Sequence, residues 1–395
     1  MRDLNFIVRW GTSKERAWSG TCYSLYSALS KKFEIKEFDL TQISMRTKIV
    51  KKISRVLYNV LLKQFDKEYD RPQTSIVAKI IRITLSFSGD MDKGEILKNR
   101  KTLDHISGLT FQFDETLMNR SDRESYIYQD LCVDYLLKLR TSQIDDLGFE
   151  YSGYSNYPVS ILRNRNDLQL QYYKSCSGIL TMGKWLEKYI KESYPHIAHK
   201  VYHVGGGINL DKSLINSSIS KRNNKILFIG RDFKRKGGYQ LLDAFEILSK
   251  KRADLELHIA GPRDNPYSGN NPNIFFYGDA DKIQLSDLMN KCDVFCMPSF
   301  FEAYGLVFIE ALSFGLPCIG RRCYEMPYFI EEGKTGELID TNSPSELADK
   351  IEKILNSESY RDNVRKKSDF YFNEYSWDNV ATRIDQIIRK RPNAD

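Results

Sequence analysis

The second half of the chain is a series of short apolar runs, each closed by Gly or Ser, with helical patterns between them. KILFIG (225–230) is followed by YQLLDAFEILSKK, where Leu241, Leu242, Phe245 and Leu248 fall at helical spacing. LELHIAG, NIFFYG, DVFCMPS and PCIG repeat the run-then-turn pattern, and QLSDLMNK and LVFIEALSF supply helices between the later ones. Short runs that are apolar without alternation read as strands buried on both faces. Strands separated by helices form βαβ units, so the pattern predicts an α/β fold with a parallel sheet. Ligands of such sheets sit at the carboxyl ends of the strands.

The first half repeats this logic less regularly. LNFIVRWG and GTCYSLYSALSKK form a first strand and helix, and SGILTMG with KWLEKYIKESY forms another such unit. IKEFDL, ITLSFSG and GLTFQFD are further strand candidates. A second core starting afresh at Lys225 predicts two Rossmann-like domains, residues 1–207 and 208–375, facing each other across a cleft. The linker falls near VYHVGGGINLDKS, where successive glycines let the backbone turn.

A chain of 395 residues exceeds what a single core comfortably serves. Its hydrophobic share of 41% and charged share of 28% are ordinary for a folded protein, which argues against disorder. The net charge of +7 is a mild excess, compatible with an anionic substrate. The basic residues are not organised with base-stacking aromatics, which disfavours nucleic acid. The 7 cysteines are odd in number and lie mostly in apolar contexts, as in NKCDVFCMPSF, so they read as free thiols of a reducing compartment. No Cys or His pairs lie at zinc-ligand spacing. No apolar run is long enough to span a membrane, and MRDLNFIVRW is too charged for a signal peptide. These features point to the cytoplasm. Segment 46–63, RTKIVKKISRVLYNVLLK, has basic residues, no acids and one apolar helical face. It is either a domain helix with a solvated basic face or a helix that meets anionic lipid at the inner face of the membrane.

Two stretches carry chemistry. In GRDFKRKGG (230–238), Gly230 ends a strand, so Arg231 emerges at its carboxyl end and Lys236 follows before two glycines. A guanidinium and an ammonium placed so suit a diphosphate. In FEAYGLVFIEALSFGLP (301–317), Glu302 again follows a strand, Gly305 permits a turn, and a helix then begins. The N–H groups around Gly305, Leu306 and Val307 can meet anionic oxygens. Glu302 is placed to accept hydrogen bonds from hydroxyls beside that phosphate, and Glu310 faces the same ligand about one turn into the helix. The alternative is a capping Glu302 and a solvated Glu310.

FEAYGLVFIEALSFGLP resembles the E-x7-E signature of the GT-B retaining glycosyltransferases of family 4. GRDFKRKGG is similar to that family's phosphate loop, and HIAGPRD, EEGKTGELID and VYHVGGGINLD resemble its neighbouring segments. AWSGTCYSLYSAL and TMGKWLEKYI also resemble members of the family, though the match is looser before residue 175. The resemblance implies a nucleotide-sugar donor, most often UDP-linked, bound by Gly230, Arg231, Lys236, Glu302, Tyr304, Gly305, Leu306, Val307 and Glu310. In the reaction it implies, Glu302 meets the transferred sugar, Glu310 the ribose, and Arg231 and Lys236 the diphosphate. A hexose or N-acetylhexosamine passes with retention, without metal or other cofactor, as the leaving phosphate helps deprotonate the acceptor. Asp279-Ala280-Asp281 has the letters of a metal motif but belongs to a loop beside the base.

The same resemblance places the acceptor, a glycan, glycoprotein or lipid-linked chain, in the N-terminal domain. Gly20 and Thr21 then face the diphosphate across the cleft, and Asp114, after GLTFQFD, is the catalytic candidate there. Relatives place a histidine in this region, but here only His105 is nearby, ahead of the strand. Tyr151, Tyr154 and Tyr157 form either a sugar-stacking surface or simple packing. A final helix, about 376–395, crosses back to the first domain, anchored by Trp377. The rival reading is a non-catalytic GT-B partner that binds glycan or another transferase. Such a partner would have no reason to keep Arg231, Lys236, Glu302 and Glu310 together.

Overall fold

The computed structural model describes residues 1–11, 13–40, 106–113, 124–143, 148–157, 159–216 and 224–390. The strand candidate ITLSFSG, the basic segment 46–63, His105 and Asp114 lie outside the described residues. The described residues form two six-stranded sheets, and every strand pair in them is parallel.

The N-terminal sheet has the order β2-β1-β3-β4-β5-β6. Its strands are β1 (Arg2–Val8), β2 (Phe33–Asp39), β3 (Thr110–Phe113), β4 (Ser125–Gln129), β5 (Gly178–Thr181) and β6 (Val201–His203). Helices α1 (Thr21–Leu29), α2 (Val133–Arg140), α3 (Val159–Ser175) and α4 (Lys184–Ser193) accompany it. Sequence periodicity passes over β4 because SYIYQ looks polar. All five of its residues are nevertheless buried. Tyr128 donates to the Gly205 carbonyl at 2.8 Å, and the Gln129 amide donates to the Tyr173 hydroxyl. A satisfied polar group loses most of its penalty for burial.

The C-terminal sheet has the order β12-β11-β10-β7-β8-β9. It comprises β7 (Lys225–Ile229), β8 (Glu256–Ala260), β9 (Ile274–Phe276), β10 (Val294–Cys296), β11 (Cys318–Arg321) and β12 (Gly336–Ile339). The helices are α5 (Gly238–Ser249), α6 (Lys282–Lys291), α7 (Leu306–Ser313), α8 (Met326–Phe329), α9 (Pro344–Leu355) and α10 (Glu358–Glu374). Here Glu337 breaks the apolar run of β12 in the sequence. Its fully buried carboxylate is held by Lys350 at 2.6 Å, Lys353 at 2.7 Å and the Tyr360 hydroxyl.

The last helix, α11 (Trp377–Lys390), packs on α1 of the first domain, with Lys31 and Asp378 paired at 2.7 Å across that contact. The Trp377 indole donates to the Asn209 side chain at 3.0 Å, in the linker between the sheets. A second clasp lies at the start of α4. Its N-terminus has no cap of its own, and Glu325 of the other domain accepts from the Trp185 N–H at 3.1 Å. The Trp185 indole reaches the carbonyl of Ala303 at 2.6 Å. Among the described residues, no helix is long and apolar enough to cross a membrane.

Candidate active site

From β7 the chain turns one way to β8, and later returns to the other side of β7 as β10, so strand order reverses between them. At that crevice of a doubly wound sheet the outgoing loops diverge and leave room for a ligand. Both chemistry-bearing stretches are the loops that leave β7 and β10. They are laced together where the Phe300 N–H donates to the Arg235 carbonyl at 2.9 Å. Gly237 makes this approach possible: its φ is +74°, and a side chain there would collide with the carbonyl of Pro298.

Lys236 and Glu302 meet in the crevice. Their side chains are 2.7 Å apart and only 15% and 16% exposed. Arg235 stands 3.6 Å from the same carboxylate, fixed by the Phe301 carbonyl at 2.5 Å and by Asp232 at 3.1 Å. Burial pushes the Glu302 carboxyl up, but Lys236 and Arg235 outweigh it and hold the group below its ordinary value. Glu302 is therefore an anion set between two cations, and it does not cap α7, which has no side-chain cap. Arg235, in the same loop as Arg231, supplies a fixed guanidinium beside Glu302. Arg231 itself is 70% exposed and reaches out to Asp279 at 3.3 Å. Sequence spacing could have pointed to Arg235 through Asp232, three residues before it.

Gly305 precedes α7, whose first N–H groups have no side-chain acceptor from a cap. Leu306 and Val307 are half-buried there. Tyr304 is buried, and its hydroxyl takes the Gly206 N–H at 2.7 Å in the linker. Glu310 lies one turn along α7 and is not solvated; it is 9% exposed. Its carboxylate accepts from the Asn209 N–H at 3.0 Å. Burial pushes it up to about 7, against the pull of that N–H and of Lys282.

The opposite wall comes from the N-terminal domain. Gly20 and Thr21 open α1, and Thr21 is buried. A cavity of about 380 Å³ runs between the domains, with Trp18, Asp130 and Tyr154 on one side and Arg235, Phe301 and Glu302 on the other. Asp130 follows β4, the strand that periodicity passes over, so no sequence pattern drew attention to it. Burial, then the neighbouring Glu302 charge, push its carboxyl up to about 7. Of the tyrosines in the 151–157 segment, Tyr151 is stacked on Phe300 at 4.3 Å, and Tyr154 leans toward Phe301. They bind the domains together more than they offer open faces. A recess of about 480 Å³ near Glu187, His203 and Arg383 lies away from these loops.

Asp279 and Asp281 are engaged separately. Asp279 meets Arg231, and Asp281 caps α6 by a reciprocal exchange with Gln284. No cluster of three metal-ligating side chains occurs among the described residues.

Residues 211–369 match the family described as Glycosyl transferases group 1. The D-inositol 3-phosphate glycosyltransferase of Corynebacterium kroppenstedtii is 27% identical over 186 residues, which are 42% of this chain and 41% of that one. The chain thus spans about two fifths of the length of the first curated relatives it matches. Sucrose-phosphate synthase from Thermosynechococcus elongatus is similar in fold over 99% of both chains, with a TM-score of 0.64 at 14% identity. Anabaena HepE, solved with UDP and glucose, gives 0.60 at 12% identity, covering 99% of this chain and 100% of its own. The chain carries a glycosyl transferases group 1 domain at residues 211–369, set within the GT-B fold of two facing α/β domains.

Proposed function

We propose that this protein is a glycosyltransferase that moves a sugar from a nucleotide-sugar donor held in the interdomain crevice. The observation that carries this is the Lys236–Glu302 pair, with Arg235 beside it, at the reversal of strand order. Two cations and the N-terminal end of α7 are suited to a leaving diphosphate. Such preorganised charge stabilises the transition state most where water is excluded. Glu302 holds sugar hydroxyls, and Glu310 holds the ribose. The donor is a UDP-linked hexose or N-acetylhexosamine, a choice supported by the nucleotide in HepE's printed description.

The acceptor is a glycan, glycoprotein or lipid-linked chain bound along the N-terminal wall, where Asp130 joins the candidates. Transfer proceeds with retention and without metal. The acceptor oxygen bonds to the anomeric carbon, the bond to the diphosphate breaks with its electron pair going to phosphate, and the acceptor proton follows it there. The test is thermal stabilisation against a panel of UDP-, GDP- and ADP-sugars. A rise in Tm with one UDP-sugar and not its GDP counterpart supports the donor assignment; no rise with any overturns it.

A further inference from the structure

We propose that Asn209 is a positioning residue that sets the nucleoside end of the donor site and the entry to α1 together. This rests on the donor reading above and extends it to a residue outside both chemistry-bearing loops.

Asn209 lies in the linker, half-buried, with its peptide N–H and both polar atoms of its side chain engaged. Its peptide N–H donates to Glu310 at 3.0 Å. Its side-chain amide donates to the Ser19 carbonyl at 3.1 Å. Its side-chain oxygen accepts from the Ser24 hydroxyl at 2.9 Å and from the Trp377 indole at 3.0 Å. One residue therefore joins the helix of the donor site, the first helix of the opposite domain and the return helix.

What it holds at Ser19 is a strained turn. Trp18, Ser19 and Gly20 have φ of 45°, 57° and 87°, three left-handed residues in succession. Left-handed backbone is disfavoured at each non-glycine residue, because the Cβ crowds the following carbonyl. Such strain persists where the surroundings over-determine it, and it gathers at functional positions. The Asn209 side chain grips the turn on both sides, at the Ser19 carbonyl before α1 and at Ser24 inside it. Trp18 lines the interdomain cavity, and Gly20 and Thr21 follow directly. No side chain among the described residues hydrogen-bonds Glu310, so its carboxylate is oriented by the Asn209 N–H. A ribose hydroxyl donating to Glu310 fixes that peptide, and the same residue then fixes the turn across the cleft.

Asn209→Asp separates this role from a structural one. It keeps the oxygen that Ser24 and Trp377 use, but it loses the donor to Ser19 and sets a carboxylate oxygen against that carbonyl. Trp377→Phe removes only the indole bond and serves as the folding control. Calorimetry with UDP, GDP and ADP is paired with hydrogen exchange over residues 18–25, with and without nucleotide. Asn209→Asp is expected to weaken binding of the preferred nucleotide about tenfold and to abolish the protection it confers on 18–25. Trp377→Phe is expected to lower Tm and leave affinity unchanged. Wild-type affinity and protection in Asn209→Asp overturn the coupling alone. Tight binding by the wild type without protection of 18–25 overturns it as well, whether or not the variant folds. Failure of all three nucleotides to bind the wild type overturns the donor reading and this inference with it.

Discussion

Arg231 and Lys236 belong to one loop but differ in what surrounds them, and the difference is measurable. Lys236 is buried against Glu302, and removing one partner of a buried pair leaves an uncompensated charge, which costs about 3–5 kcal/mol. Arg235 remains beside Glu302 and softens that loss, so Lys236→Ala is expected toward the lower end. Arg231 is mostly exposed, and exposed pairs contribute about 0–1 kcal/mol. Chemical denaturation should therefore find Lys236→Ala clearly destabilised and Arg231→Ala close to wild type. Both should weaken nucleotide-sugar binding. The sequence made these two cations legible through strand ends and glycines. It did not make Arg235 legible, because contact with Glu302 depends on how two loops distant in sequence pack. Asp130 stayed hidden for a similar reason: its strand is written in tyrosines and glutamine whose burial becomes clear only with their partners.

At Glu310 the sign of the pH dependence follows from its environment. The carboxyl is pushed up to about 7, and ribose hydroxyls donate best to the ionised form. Nucleotide affinity is expected to tighten as pH rises from 6 to 8, by roughly tenfold per unit at most below the pKa. Glu310→Gln should show weaker affinity with a flatter profile, and calorimetry at several pH values checks both.

Among the elements, α7 and α4 show two ways of beginning a helix. Helix α7 starts after Gly305 with no side-chain cap, at the crevice proposed for the phosphates. Helix α4 also lacks a cap of its own and borrows Glu325 from the other domain. Replacing a capping acid by Ala typically costs about 1 kcal/mol. Glu325→Ala is expected to lower Tm by a few degrees, as read by differential scanning calorimetry, and to loosen the domain contact at Trp185. Helix periods and apolar runs revealed most of the helices and strands near the donor site. The cap from Glu325 was invisible because it pairs residues 140 positions apart. The strained turn at 18–20 was equally hidden, since Trp and Ser do not advertise left-handed backbone as glycine does.

For the whole molecule, two sheets, a linker threaded beside α11 and a cavity between the domains leave three carboxyls, Asp130, Glu310 and Glu325, each pushed up to about 7 chiefly by burial. A carboxyl raised in the folded state binds more protons there than in the unfolded chain. The stability it contributes is present below its unfolded pKa, near 4, and is lost as pH rises through about 7. Glu302, held low, contributes with the opposite sign and is lost only under acid conditions. The ligand-free protein is thus expected to lose stability between pH 5 and 8. The doubly substituted Glu310→Gln, Glu325→Gln protein should lose less, by thermal unfolding across that range. The two-domain architecture was legible because each half restarts the strand–helix alternation. The way the halves are clasped was not, because it rests on Asn209, Glu325 and stacked aromatics whose partners are distant in sequence.

If the Lys236–Glu302 crevice activates a nucleotide sugar, turnover of that donor depends on Glu302. The most direct measurement is release of nucleoside diphosphate from the preferred nucleotide sugar by the wild type and by Glu302→Ala, with folding checked by circular dichroism. Release by the wild type is expected, with a loss of at least about a hundredfold in the folded variant, in line with removal of a group that acts on the transition state. Equal rates from the two folded proteins would contradict it.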